Sequence, residues 1–183
     1  MECDFNCKEL NKYRADCPYP ALKVKRPNKR YGNLLLEAYG GKYSETTAIN
    51  QYVSHNFYSG DNTDLENAFR YISIVEMHHL DMLGDLIRKL GVRPEFRSSK
   101  QNFYWSGCFV NYDTEVKKMI RADIEGEREA IALYKKLISQ INDEYVRDVL
   151  RRIIMDEKKH IEVLSSLYKK ICNSNIKPHR PGC

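Results

Sequence analysis

Apolar residues recur every three or four positions along much of the chain, the spacing that lays one helix face on a core. The clearest run passes from Leu65 through Phe69, Ile72, Val75 and Leu83 to Leu86 and Leu90. Breaks in the pattern set the predicted elements. Residues 1–29 are rich in Pro, Cys and Lys and read as an irregular arm. "NLLLEAY" (Asn33 to Tyr39) predicts a short helix, stopped by Gly40-Gly41. A first long helix follows, about Lys42 to Tyr58. "SGDNTD" supplies turn chemistry, with Asp61 and Thr63 as N-cap candidates for a second helix over about Asp64 to Leu90, closed by Gly91 with Pro94 beyond. Residues 92–112 form a long connection that holds the only Trp, Trp105. Asn111 or Asp113 can cap a third helix, Thr114 to Ile141, and Asn142 a fourth, Asp143 to Ile171. Short links within each pair and one long link between pairs predict an all-α antiparallel four-helix bundle with one crossover connection. The expected division is an arm over 1–29, a bundle over 30–172 and a loose tail over 173–183.

The bundle positions carry polar intruders, and these repeat. "ETTAINQY" (Glu45 to Tyr52) and "EREAIALY" (Glu127 to Tyr134) share Glu-x-x-Ala-Ile-x-x-Tyr. "EMHHLDML" (Glu76 to Leu83) and "EKKHIEVL" (Glu157 to Leu164) share Glu-x-x-His followed by apolar, acidic, apolar and Leu. Residues three apart on a helix share a face, so a Glu and a His at that spacing can grip one ion. Glu45, Glu76, His79, Glu127, Glu157 and His160 therefore form a candidate site for two divalent metal ions, manganese or iron, with the four glutamates closest to the chemistry. Four carboxylates buried together repel, and two divalent ions neutralise them. His79 is the ligand candidate, while His78, about 100° around the helix, reads as a helix–helix or solvent contact. Tyr52 and Tyr134 follow their glutamates by two turns, either as core packing or as hydrogen-bond donors to the carboxylates. Asp156 can hold the His79 imidazole from across the bundle. Val75 stands at the equivalent place, so His160 needs another partner. Glu37, Glu66, Glu125 and Glu129 read as solvated.

Composition narrows the classes. The 183 residues suit one domain. The net charge is +5, but basic and acidic residues interleave, which argues against a nucleic-acid surface. No apolar run approaches the ~20 residues of a membrane span, and the first residues lack the apolar core of a signal peptide, so an intracellular, cytoplasmic location is expected. Six cysteines include no Cys-x-x-Cys pair, which removes a zinc ribbon or a rubredoxin-type iron site. Cys3, Cys7 and Cys17 cluster early and read first as reduced cytosolic thiols; with thirteen Tyr, the alternative is cross-linking chemistry in an assembly.

Residues 30 to 171 resemble the ferritin-like superfamily. "YGGKYSETTAINQYVSHNF" with "EMHHLDMLG" is similar to the corresponding helices of manganese catalases and of their spore-coat relatives, and "YPALKVKRPN" resembles the lead-in arm of the coat proteins. "IEGEREAIALY" with "DEKKHIEVL" resembles rubrerythrins and bacterioferritins. The resemblance implies Glu45, Glu76, His79, Glu127 and His160 as ligands, with Glu157 bridging in the iron branches and outside the first ring of ligands in the manganese catalases. Rubrerythrins carry a further carboxylate where this chain has Ala130, and they carry a rubredoxin site absent here. The expectation is a homo-oligomer that dismutates or reduces hydrogen peroxide, or reacts with dioxygen. Ferroxidase and iron storage, or a spore-coat component stabilised by metal, are the alternatives.

Overall fold

In the computed structural model, residues 7–99 and 103–174 are described, without the side chains of Cys7 and Ser174. Cys3, Cys183 and most of the expected tail lie outside these residues. The elements are α1 (Cys7–Leu10), α2 (Lys29–Gly40), α3 (Glu45–Asn56), α4 (Thr63–Lys89), α5 (Val116–Gln140) and α6 (Glu144–Ser174), with a 3₁₀ turn over Gly107–Phe109. One isolated bridge, Arg97 with Tyr104, is the extent of β pairing among the described residues.

Capping chemistry moves several predicted boundaries. The short helix begins earlier than expected, at Lys29, because the Asn28 side chain accepts from Tyr31 N. The next helix begins at Glu45, not Lys42, because the Ser44 side chain accepts from Thr47 N. Asn62, not Asp61 or Thr63, caps α4 by accepting from Leu65 N. Neither Asn111 nor Asp113 caps α5; Glu115 holds that position without a side-chain bond. Asp143, not Asn142, starts α6, its Oδ1 accepting from Tyr145 N at 3.2 Å. Gly91 does end α4: its φ of 84° is left-handed, and Val92 N reaches back to Ile87 O.

Helix directions follow from cross-bundle pairs. Tyr52 meets Glu127 while Tyr134 meets Glu45, so α3 and α5 run antiparallel. His79 meets Asp156 while Glu76 meets His160, so α4 and α6 do too. Short turns join α3 to α4 and α5 to α6, and residues 90–115 cross between the pairs. Two apolar clusters form the core. Leu35, Leu36, Leu83, Leu86, Leu150 and Ile153 belong to one; Leu65, Phe69, Ile72, Met119, Ile120 and Leu164 belong to the other. Helices α4, α5 and α6 contribute to both, and the polar residues lie between the two contributions on each helix.

Two irregular segments brace opposite faces. The crossover descends along α2 and α3: Ser98 and Ser99 donate to Glu37, Trp105 Nε1 to Thr47 Oγ1 at 2.9 Å, and Asn111 N to Gln51 Oε1 at 2.9 Å. Glu37 is therefore not the solvated residue expected, because the crossover folds over it. Glu125 sits exposed and Glu66 half-buried, in ion pairs with Arg128 and Arg70. The arm lies against α4 and α6. Ala15 N and Tyr19 Oη both donate to Asp156 at 2.7 Å. Arg152 donates to the carbonyls of Cys17 and Ala15 at 3.0 Å and stacks its guanidinium over the Tyr19 ring. Lys89 Nζ donates to Leu22 O, and Lys25 N to Asp143.

The α2–α3 break is a close-approach site. A Cβ on Gly40 would stand 2.7 Å from the Phe96 carbonyl carbon, inside van der Waals contact with backbone. Gly40→Ala is expected to destabilise the fold by about 1–3 kcal/mol through overpacking, read as a lower urea midpoint with an unchanged slope.

Candidate metal centre

Helices α3, α4, α5 and α6 bring Glu45, Glu76, Glu127, Glu157, His79 and His160 together at the middle of the bundle. All six are at most 4% exposed. The arrangement is nearly two-fold. His79 Nδ1 lies 2.9 Å from Glu76 Oε2, 3.4 Å from Glu157 Oε1 and 3.8 Å from Glu45 Oε2. His160 Nδ1 lies 3.0 Å from Glu76 Oε1, 3.0 Å from Glu157 Oε2 and 3.3 Å from Glu127 Oε1. Glu76 and Glu157 thus each turn one oxygen to either imidazole, while Glu45 and Glu127 sit at the two ends. The ring centroids are 6.2 Å apart.

These atoms suit a pair of cations. One ligand atom each from Glu45, Glu76, His79 and Glu157 fall within 4.8 Å of one another, and so do those from Glu76, Glu127, Glu157 and His160. Glu76 Oε1, both Glu157 oxygens and both His160 nitrogens are buried without a hydrogen bond of proper geometry. The short His160–carboxylate distances are therefore contacts around a shared space rather than aimed hydrogen bonds. Buried orphan acceptors of this kind are costly unless an ion or a proton satisfies them.

Electrostatics describe the same demand. Burial, reinforced by the charges of Glu76 and Glu157, raises the Glu45 and Glu127 carboxyls well above the ordinary range. Burial also pushes Glu76 upward, but His160 and His79 override it and hold that carboxyl well below. Burial alone would lower both imidazoles; the surrounding carboxylates, Glu157 first for His79 and Glu127 first for His160, instead hold them well above the ordinary value. Without metal, protons perform the neutralisation, and metal ions compete with them for the same atoms.

The surrounding groups fix the ligand candidates. Tyr52 donates to Glu127 and Tyr134 to Glu45, each tyrosine reaching the opposite helix. Burial and the adjacent carboxylates raise both phenols, which keeps them neutral donors. His79 Nε2 lies 2.9 Å from Asp156, which leaves Nδ1 facing the cluster. Asp156 is held below the ordinary range because His79, Arg152 and Tyr19 outweigh its burial. His160 Nε2 has no such partner. His78 is exposed and packs its ring edge-on against Tyr19 at 4.5 Å.

A second buried polar group was not anticipated. His55 Nδ1 lies 3.0 Å from Asp123, and its Nε2 lies 3.0 Å from Asn111 O. Gln51 Nε2 donates to Asp123 at 2.8 Å. The signal was present in the helix faces: Asp123 precedes Glu127 by one turn, and His55 follows Tyr52 by one turn. A cleft of about 270 Å³ opens between α3 and α5 beside this group and reaches Glu45, Glu76, Glu127 and Glu157.

The family described as "Ferritin-like domain" matches residues 43–173. A probable manganese catalase from Clostridium acetobutylicum is 25% identical over 173 residues, spanning 83% of this chain and 76% of the relative. A bacterioferritin from Brucella melitensis biotype 1 is 28% identical over 129 residues, spanning 68% of this chain and 75% of the relative. A manganese catalase from Anabaena has the same fold, with a TM-score of 0.80, 24% identity and coverage of 93% of this chain and 84% of that one.

Burial alone would lower the His55 pKa, but Asp123 and Asn111 hold it above the ordinary value. His55→Ala strands the Asp123 carboxyl and is expected to cost about 3–5 kcal/mol. A raised imidazole pKa stabilises fully below the unfolded value of about 6.5 and loses that contribution as pH rises through the folded value. Burial raises the Asp123 carboxyl and His55 opposes that rise, so urea unfolding at pH 7 is expected to show the variant less stable than wild type.

Proposed function

Because the chain belongs to the ferritin-like domain family, we propose that its central cluster binds two divalent ions and dismutates hydrogen peroxide to dioxygen and water. The observation that carries this is the shared orientation of Glu76 and Glu157, each with one oxygen toward either imidazole. In this reading Glu45, Glu76, His79 and Glu157 would hold one ion, and Glu76, Glu127, Glu157 and His160 the other. The likeness to a probable manganese catalase favours manganese. The N/O donor set accepts iron equally.

When bound, the ions would supply the two-electron exchange with peroxide, whose balance is two hydrogen peroxide giving one dioxygen and two water. The chain supplies the rest. Four carboxylates match the charge of two divalent ions. Tyr52 and Tyr134 hold the end carboxylates at one angle by hydrogen bonds from opposite helices. Asp156 holds the His79 ring, and the arm fixes Asp156. The apolar clusters above and below confine small reactants to the cleft between α3 and α5. A homo-oligomer is part of this reading. Among the described residues no helix is long and apolar enough to cross a membrane.

A second reading, oxidation of ferrous iron by dioxygen or peroxide, draws on the likeness to a bacterioferritin. Metal analysis and an oxygen electrode separate the two. The protein loaded with manganese is expected to hold about two ions per chain and to evolve oxygen from peroxide, and Glu157→Gln to lose both properties. Oxygen consumption with ferrous ion, and no evolution from peroxide under either metal, would favour the iron reading. Absence of metal under all loading conditions would sink both.

The tyrosines give a finer check. Tyr134→Phe and Tyr52→Phe each remove one hydroxyl from a ligand carboxylate and leave the ring packing. Each is expected to lower metal affinity or turnover by about 10–100-fold, measured by metal titration and initial rate, with little change in helix content.

A further inference from the structure

Gly126 stands in the middle of α5, one residue before Glu127. Glycine in a helix interior costs roughly 0.5–1 kcal/mol relative to alanine, so the position requires a reason. No turn supplies one, because the helix runs unbroken from Val116 to Gln140. Packing supplies none either: a Cβ built on Gly126 meets nothing within 4 Å. Gly40 and Gly32 differ, since a Cβ there would run into neighbouring atoms.

The empty space beside Gly126 belongs to the cleft. Ala122, Gly126 and Ala130 line it from α5, and Ala48 lines it from α3. All four remain partly exposed although they lie between two bundle helices. The outer rim carries Lys42, Tyr43 and Glu125; the inner end reaches Glu76 and Glu157. Both inner glutamates are 1% exposed and hold buried oxygens without hydrogen-bond partners. An open space of about 10–15 Å³ holds one water, so 270 Å³ takes several molecules of that size.

We infer that this cleft is the route by which small reactants and the metal ions reach the cluster, and that Gly126 sets its width. The class admitted is a small oxidant such as hydrogen peroxide rather than a branched organic hydroperoxide. The assignment of reactants rests on the peroxide reading above, whereas the existence and width of the route do not.

The test has a metal-free and a metal-loaded arm. In the full chain carrying Ala130→Cys, the labelling rate of the new thiol by methyl methanethiosulfonate is followed peptide by peptide, with Cys17, Cys108 and Cys172 as internal references. Adding Gly126→Leu is expected to slow that labelling about tenfold or more, since passage then waits on helix motions, and to leave the references unchanged. In the loaded protein without Ala130→Cys, Gly126→Leu is expected to slow chelator-driven metal release and peroxide consumption by a similar factor at equal final metal content. Gly126→Ala is expected to raise the unfolding midpoint. If Gly126→Leu does not fold, Ala48→Leu closes the route from the facing helix and reads the same way. Unchanged labelling in a folded Leu variant overturns the route. A lowered midpoint in Gly126→Ala overturns the claim that the glycine is free of packing. Failure of wild type to take up metal sinks the peroxide reading, while the labelling arm still decides the route.

Discussion

Four carboxylates brought together in a dry interior repel one another, and the whole bundle is arranged around that problem. Born-type desolvation makes even one unpaired buried charge costly. Here two imidazoles turn their Nδ1 atoms into the group, two phenols donate to its ends, and orphaned oxygens remain for cations. The apolar clusters to either side supply stability that the centre cannot. Each buried Leu, Ile or Phe contributes about 1.5–3 kcal/mol, and those residues occupy the helix turns on both sides of the polar belt. Stability and chemistry are thus separated along each helix axis.

The near symmetry of the cluster stops at its surroundings. His79 leans on Asp156, which receives further hydrogen bonds from Ala15 and Tyr19. His160 has a bare Nε2. An imidazole that donates to a carboxylate is a more basic ligand than one that donates to nothing. Were ions held there, the two ends would differ in electron donation although their carboxylates match. The difference originates outside the four helices, in the arm.

Much of this was legible from spacing alone. The paired Glu-x-x-His and Glu-x-x-Ala-Ile-x-x-Tyr segments placed six residues on inward faces, and the structure brings all six together. Contacts of Tyr52 and Tyr134 with carboxylates were one of two open alternatives, since two turns of helix return a side chain to the same face. That of Asp156 was readable from its place beside Glu157. Helix starts were not, because Ser, Asn and Asp neighbours compete for one capping role and tertiary context selects among them. Glu37 was misread for a different reason: the crossover that covers it is irregular and carries no periodic signal. His55 and Asp123 were missed because neither belongs to the repeat, and Leu137 stands where symmetry would place the counterpart of His55. The cleft had no signature beyond the small residues that line it.

The arm was expected to be merely irregular, yet it threads back to the last helix. Ala15 and Asp156 are 141 positions apart, and Tyr19 and Asp156 are 137 apart. Contacts of such long sequence separation form late, because the loop they close must be ordered first. During synthesis the first helix pair can collapse as soon as it emerges. The support for His79 waits until α6 exists and the arm has been laid across it. The end of the centre built around His79 is therefore completed only as folding finishes. A chain truncated before residue 156 can bury apolar surface but lacks Asp156, Glu157 and His160.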